Sequence, residues 1–154
     1  LVVSVGSAVR AKAAENQTRA VLKAVQGAIE AYADTYRTVP NHVVTWRNYD
    51  PLPPLPNQCA MANTGTLVHW LRRVNSAGER LAELSAELFV EDASIDPDPT
   101  DGDTTKVTAT YMLDPWGTPL NYQANGGAGG TPVVISAGVN VKWGDGDDLR
   151  SDDQ

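Results

Sequence analysis

The chain is poor in the residues that carry most redox and cofactor chemistry. Its 154 residues include one cysteine, Cys59, and two histidines, His42 and His69. A single cysteine excludes a disulfide bond or a thiolate metal cluster within one chain. Neither histidine stands in a recognisable catalytic motif, so a nucleophilic Cys59 would lack an evident base. Phosphate-cradling and zinc-ligand motifs are also missing, and we therefore predict that the protein is not an enzyme.

Basic residues are scarce as well. The chain carries 12 Lys and Arg against 19 Asp and Glu, a formal net charge of -7, which argues against a nucleic-acid partner because phosphate binding needs clustered cations. The imbalance is local. Residues 1–90 have a net charge of +2, whereas residues 91–154 hold three basic and twelve acidic residues, a net of -9. The acidity therefore belongs to the C-terminal part of the chain.

No long apolar run is present. Residues 1–6 are apolar, but a membrane-spanning helix needs about 20 such residues. This apolar stub leads directly into a charged, alanine-rich stretch, as the cut end of a longer apolar segment would. The length suits one domain, and an apolar fraction of 42% is enough for a core.

The sequence predicts one long helix in the first quarter of the chain. Residues 7–37 are rich in helix-forming residues and contain no proline. Apolar side chains recur every three or four residues and predict a buried stripe, formed by Val21, Val25, Ala28, Tyr32 and Tyr36 with Leu22 and Ile29 beside it. The N-terminal half of this helix has no evident partner within the chain.

The rest of the chain predicts short helices followed by strands. Residues 38–62 contain five prolines and are interpreted as a loop, and residues 64–75 have a helical pattern. Ser76 and Glu79 have the spacing of a capping box, which predicts the start of another short helix. Alternation over residues 107–113 predicts a half-buried strand, and two further strands are predicted in a small antiparallel meander, at residues 120–123 and 132–136.

These elements predict an α+β fold, a long N-terminal α-helix packed on a small antiparallel β-sheet, with short helices in the connecting region. We expect one domain over residues 1–154. Its three parts are the long helix at 1–37, a variable loop with short helices at 38–106, and the sheet with an acidic loop at 107–154.

A turn is predicted where the first of these strands ends. In the run Asp-Pro-Trp-Gly, Pro115 presets φ, Gly117 permits a positive φ and Asp114 can accept hydrogen bonds from the amides of the turn. This run, followed by Tyr122, resembles the signature of the major pseudopilin of type II secretion systems, within the type IV pilin-like superfamily. The long helix agrees with the resemblance, which covers about half of the chain. Residues 41–106 match nothing in that pattern.

The resemblance implies a structural role. Members of the family have a hydrophobic N-terminal segment that anchors the subunit in the inner membrane and later forms the filament core. Here residues 1–3 are similar to the end of that segment, so its anchoring half is expected to be missing. The implied partners are other copies of the chain in a helical filament, minor pilin-like subunits and the inner-membrane assembly machinery. The implied location is the periplasmic face of the inner membrane or an extracellular filament.

The acidic loop after residue 136 is the chemically most distinctive segment. Oxygen ligands on a glycine-rich loop suit Ca²⁺, although the spacing is not that of an EF-hand. The resemblance implies a calcium site here, with ligands at Asn140, Asp147 and Asp148 and main-chain carbonyls of the loop. Asp145 offers an additional ligand that the family pattern does not clearly match. The alternative is a solvated acidic tail without a metal.

Two further hypotheses remain open at this stage. Trp46 and Tyr49, next to the proline-rich stretch 50–56, could present an aromatic platform in an adhesive or glycan-binding minor subunit. A second acidic run, with Asp residues at 96, 98, 101 and 103, could bind another cation, but its prolines and the lack of a motif favour an exposed loop.

Overall fold

The computed structural model describes residues 2–40, 56–95 and 105–153, and it has the α+β architecture expected from the sequence. Its helices are α1 (Val2–Tyr36), α2 (Pro56–Leu71) and α3 (Asn75–Ala82), with 3₁₀ turns at Ala86–Leu88 and Ala128–Gly130. Its strands are β1 (Phe89–Ile95), β2 (Val107–Met112), β3 (Asn121–Gln123), β4 (Val133–Ser136) and β5 (Leu149–Arg150).

Helix α1 is buried in one half and exposed in the other. At 1.5 Å per residue, its 35 residues extend roughly 52 Å. Residues 6–10 are all exposed, whereas the predicted apolar stripe lies in the core from Val21 to Tyr32. Tyr36 is the exception, because its side chain is 51% exposed and stacks beside Tyr32 at 4.8 Å between ring centroids. The prediction of a stripe that continues to Tyr36 was therefore wrong by one turn.

The end of α1 is held by a long-range contact. Arg37 adopts a left-handed conformation, with φ of 57°, and stops the helix. Three residues later, the carbonyl of Pro40 accepts a hydrogen bond of 3.0 Å from the hydroxyl of Tyr122, which is buried in β3. The chain thus leaves α1 at a point that is tied to the sheet.

The middle of the chain differs from the prediction in three ways. Helix α2 begins at Pro56, inside the stretch interpreted as a loop, and proline is well tolerated in a first helical turn. The predicted capping box does not form, because α3 begins at Asn75 and its N-cap, Val74, makes no side-chain cap bond. Strand β1 was missed, since its charged residues Glu91 and Asp92 break the apolar alternation.

The strands form two small sheets rather than one meander. Strand β1 pairs antiparallel with β2, and β4 lies between β3 and β5 with antiparallel pairing on both sides. An isolated bridge between Leu113 and Pro119 and a hydrogen bond of 2.8 Å from the Leu120 amide to the Met112 carbonyl connect β2 to β3. The turn at residues 114–118 is therefore the connection between the two sheets.

Strand β2 separates two apolar clusters. Met112, expected on the polar face of a half-buried strand, is fully buried in the main core with residues of α1, α2, α3 and β4. The alternate residues Ala109, Tyr111 and Leu113 pack in a smaller cluster with Ala62 and Ile95. Both faces of the C-terminal end of β2 are thus covered, which exceeds the half-burial that was predicted.

Candidate metal centre

The turn between the two sheets is built around the carboxylate of Asp114. This side chain is 2% exposed. Its Oδ1 accepts hydrogen bonds from the main-chain amides of Trp116, at 3.0 Å, and Thr118, at 2.9 Å. Gly117 has the predicted positive φ, 82°, and Trp116 packs against the main core. The predicted roles of these turn residues are confirmed.

The same carboxylate reaches the beginning of the acidic loop. Asp114 Oδ2 accepts a hydrogen bond of 2.6 Å from the Ser136 hydroxyl, whose oxygen accepts one of 3.2 Å from the Gly138 amide. Burial raises the pKa of Asp114, while the hydroxyl and the turn amides oppose that rise. The first residues of the loop are therefore fixed through a buried group.

Three of the four predicted ligands, Asn140, Asp145 and Asp147, come together in the acidic loop after Gly138. The side-chain amide of Asn140 donates to Asp145 Oδ2 and to Asp147 Oδ1, both at 2.7 Å, and its main-chain amide donates to Asp147 Oδ2 at 3.2 Å. Hydrogen bonds with Asp147 and Asn140 lower the pKa of Asp145. A small group of oxygen atoms therefore surrounds one amide nitrogen.

Asp148 lies on the other side of the loop. Its Oδ2 accepts a hydrogen bond of 2.9 Å from the Gly144 amide. Its Oδ1 is buried and meets no hydrogen-bond donor among the described residues. Burial, together with the negative charges of Asp145 and Asp147, raises the pKa of Asp148. An unpartnered carboxylate oxygen next to two further carboxylates carries an energetic cost that a cation would relieve.

The backbone of the loop needs special conformations to bring these groups together. Gly138 has φ of 68°, and a Cβ atom there would collide with the main-chain carbonyl of Asp147. Val141 has φ of 55°, which is unfavourable for a β-branched residue. The loop also reaches the start of α2, where Trp143 Nε1 donates to Asn57 Oδ1 at 3.0 Å.

The end of the acidic loop, at β5 and Ser151, is hydrogen-bonded to α1. Ser151 Oγ donates to Gln26 Oε1 of α1 at 2.9 Å and accepts the Val134 amide at 3.0 Å. Arg150 forms an ion pair with Asp152 and donates to the carbonyl of Gly126. The sequence analysis placed this stretch in the acidic loop, with a solvated tail as the alternative, and predicted no strand there. Leu149 is the apolar residue of this stretch, and it was the one signal in the sequence for a strand here.

The structure thus brings Asn140, Asp145 and Asp147 into contact, and it places Asp148 beside them with different partners. Over the ranges 2–40, 56–95 and 105–153, no three acidic, histidine or cysteine side chains form a ready-made metal cluster. The acidic run at 96–103 and the residues of the aromatic platform, Trp46 and Tyr49, lie outside the described residues.

Comparisons with known proteins find no matching family model, no matching curated protein and no matching solved structure. Among the helices that the structure describes, none is both long and apolar enough to cross a membrane.

Proposed function

We propose that this chain is the head of a filament subunit of the type IV pilin-like kind, similar to the major pseudopilin of type II secretion, with a C-terminal loop that Ca²⁺ stabilises. The observation that carries the proposal is the division of α1. Its second half supplies six buried apolar side chains to the core, whereas residues 6–10 at its other end are exposed.

Ion pairs between its own residues stabilise the N-terminal part of α1. Glu15 forms ion pairs with Lys12 at 3.0 Å and with Arg19 at 3.2 Å, at the spacings that stabilise a helix locally. Val9 lies on this half and is 63% exposed. Most helical stability in proteins comes from burying one face, so a long exposed half is best explained by a partner outside the chain.

The donor set of the acidic loop fits Ca²⁺. The ion takes six to eight oxygen ligands, and Asp145, Asp147, Asp148 and the carbonyl oxygen of Asn140 are of the required kind. The unpartnered Oδ1 of Asp148 is the observation that favours a cation over a solvated tail. Bound there, the ion would supply positive charge that holds mutually repelling carboxylates together. For Asn140 to be a ligand, its amide must turn so that oxygen rather than nitrogen faces Asp145 and Asp147.

A stabilised loop would matter to the filament because the loop is joined to α1 at its end. It leads directly into β5, and Ser151 next to β5 bonds to Gln26 on α1. The loop also lines a groove of about 520 Å³ along the exposed half of α1, with Val139 and Asp147 on one side and Lys12 and Glu15 on the other. The metal site and the helix surface offered to neighbouring subunits are therefore adjacent.

The proposal includes the partners and the location that the resemblance implies. Copies of the chain would pack through α1 in a helical filament, together with minor pilin-like subunits and the inner-membrane assembly machinery. A hydrophobic segment ahead of residue 1 would anchor the subunit in the inner membrane, facing the periplasm, or form the core of an extracellular filament. Its role is structural rather than catalytic.

The test is assembly of a version extended at its N-terminus by an apolar helix of about 20 residues. We expect filaments by electron microscopy. Val9→Asp places a charge on the exposed half of α1 and should abolish filaments without changing the melting temperature of the unextended head. Ser76→Asp adds the same charge at an exposed position of α3 and is the matched control.

Two results would contradict this function. One is an extended chain that stays monomeric under all calcium concentrations tested. The other is a Val9→Asp variant that assembles as well as the Ser76→Asp control, because the exposed half of α1 would then have no role in assembly.

A further inference from the structure

A second cavity lies away from the acidic loop, between α2 and β2, with a volume of about 580 Å³. We propose that this cleft is a binding site for a small organic anion, a carboxylate carried on a short apolar body. The inference does not depend on filament assembly. It rests on three features of the cleft: its positive charge, the fixed position of the cationic side chains and its apolar floor.

Among the described residues that line the cleft, Arg72 and Arg73 are basic and none is acidic. His69 lies beside them in the lining. Within the described part of the chain, neither guanidinium forms an ion pair with a carboxylate. A bound carboxylate would supply that partner, and arginine suits it because its planar fork matches the two carboxylate oxygens.

The two guanidinium groups are held in place before any ligand arrives. Arg72 lies over the ring of Phe89, at 5.5 Å from the centroid, and donates to Thr110 Oγ1 at 3.4 Å. Arg73 lies over the ring of Trp70 at 4.9 Å, and His69 packs edge-on against the same ring at 5.5 Å. Side chains that are already ordered lose less entropy when they bind, so this arrangement favours affinity.

The floor of the cleft selects for an apolar body behind the anionic head. It is formed by small or aliphatic residues of α2, β1 and β2, namely Ala62, Gly65, Val68, Ile95 and Ala109. The absence of a side chain at Gly65 allows α2 to approach Ala109 closely, since a Cβ there would lie 3.3 Å from the Ala109 Cβ. The volume falls within the range of small-molecule sites. A naked inorganic anion would leave this apolar surface uncovered.

The test uses hexanoate as the probe, followed by nuclear magnetic resonance of the intact chain. We expect saturable shifts of the amides at residues 65–69 and 107–110 and of the Trp70 indole. Acetate should bind at least tenfold more weakly, because it lacks the apolar body. The double variant Arg72→Gln, Arg73→Gln should also weaken hexanoate binding by tenfold or more, whereas Lys23→Gln, which removes an exposed cation of α1, should not.

A control with the opposite charge tests whether binding depends on the carboxylate. Hexylamine, with the same apolar body and the opposite charge, should give no saturable shift at these residues. Equal binding of hexylamine, or hexanoate binding that survives the double variant, would overturn the proposal. So would the absence of any saturable hexanoate shift in a chain whose spectrum is otherwise folded.

A capped Val-Glu-Val peptide tests whether the carboxylate that binds the cleft belongs to a peptide segment or to a free small molecule. Tighter binding than hexanoate would identify an acidic peptide segment as the ligand. Weaker binding would identify a free small molecule.

Discussion

Two groups of carboxylates in the C-terminal part of the chain have opposite relations to their surroundings. Asp114 is buried, and both of its oxygens accept hydrogen bonds, from the turn and from Ser136. In the acidic loop, Asp145 and Asp147 share the amide of Asn140, and Asp148 keeps a buried oxygen without a donor among the described residues. Asp114 is satisfied by the chain itself, whereas the acidic loop leaves one buried oxygen, Asp148 Oδ1, without a donor among the described residues.

The difference shows that hydrogen-bond donors, rather than the number of acidic residues, separate a structural carboxylate from a candidate ligand. Asp114 meets two amides and a hydroxyl at short distances, so it has no need of a cation. In the loop, Asp145 and Asp147 share the side-chain amide of Asn140, and Asp148 lies beside them with one buried oxygen that meets no donor among the described residues. In each case the local backbone determines which donors the carboxylates meet. At Asp114 this backbone is the Asp-Pro-Trp-Gly turn, and in the acidic loop it includes the positive φ values of Gly138 and Val141.

The largest effect is expected at the satisfied carboxylate. Asp114→Ala would leave the amides of Trp116 and Thr118 and the Ser136 hydroxyl without a buried partner. We expect the free energy of unfolding to fall by about 3 kcal/mol, measured by urea denaturation. Asp114→Asn keeps one oxygen for the turn amides and should cost less. A loss below about 0.5 kcal/mol for the alanine variant, as for a surface site, would contradict the role of the turn.

The pH dependence of Asp114 follows from its raised pKa. Since its pKa in the folded protein lies above the ordinary value of 3.8, the folded state holds the proton more tightly than the unfolded state. Its contribution to stability is fully present below pH 3.8 and is lost as the pH rises through the folded pKa. The stability advantage of the wild type over Asp114→Asn should therefore shrink over that window, and growth of the advantage would contradict the assignment.

The next largest effect is expected from calcium. If Ca²⁺ binds only the folded loop, a concentration 100-fold above its dissociation constant adds about 2.7 kcal/mol. For a chain of this size, that corresponds to a rise in melting temperature on the order of 5–10 °C. Magnesium should have little effect, because Mg²⁺ demands near-ideal octahedral geometry and gives up its water ligands reluctantly. Thermal unfolding with each ion and with chelator measures the difference.

A matched pair of variants locates the calcium effect. Asp147→Ala with Asp148→Ala should abolish the calcium-dependent rise in melting temperature. Asp34→Ala with Asp153→Ala removes the same charge from exposed positions and should preserve the rise. Equal calcium responses in the two double variants would show that the ion acts through overall charge, and the acidic loop would then be a solvated segment.

A smaller effect is expected from Asn140→Asp. This variant adds a fourth carboxylate to the acidic loop and so increases its difference from the Asp114 site. Without calcium, the new carboxylate loses the amide bonds to Asp145 and Asp147 and repels both, so the melting temperature should fall. With calcium, an added negative ligand should lower the dissociation constant on the order of tenfold. Calorimetric titration measures the affinity. A variant that is destabilised in both conditions would argue against Asn140 as a ligand.

The parts of the fold that were predicted correctly depend on local patterns. The stripe from Val21 to Tyr32 follows helical spacing, and the turn at Asp114 follows residue preferences at fixed positions. Both signals lie within a few neighbouring residues. The same locality explains the error at Tyr36, whose spacing fits the stripe although α1 extends past the core there.

The parts that were missed depend on contacts between distant segments. Strand β1 is stabilised by pairing with β2 and not by its own alternation, and β5 is defined by two residues that pair with β4. The interaction of Ser151 with Gln26 joins residues 125 positions apart. In the acidic loop, the sequence identified the oxygen donors, but which of them converge depends on the positive φ of Val141, which no residue preference indicates.

The smallest effect is expected where an acidic residue of the tail already has a cationic partner. Asp152 accepts hydrogen bonds from Arg150, at 2.9 Å, and from the Ala128 amide, and Arg150 lowers its pKa below 3.8. Its contribution is therefore present above pH 3.8 and is lost as the pH falls through the folded pKa. Asp152→Asn should cost under about 1 kcal/mol at pH 7, and this cost should shrink as the pH falls through the folded pKa of Asp152, measured by urea denaturation. Because this pair needs no metal, the cost should be the same with calcium and with chelator. A calcium-dependent cost would instead group Asp152 with the candidate ligands of the acidic loop.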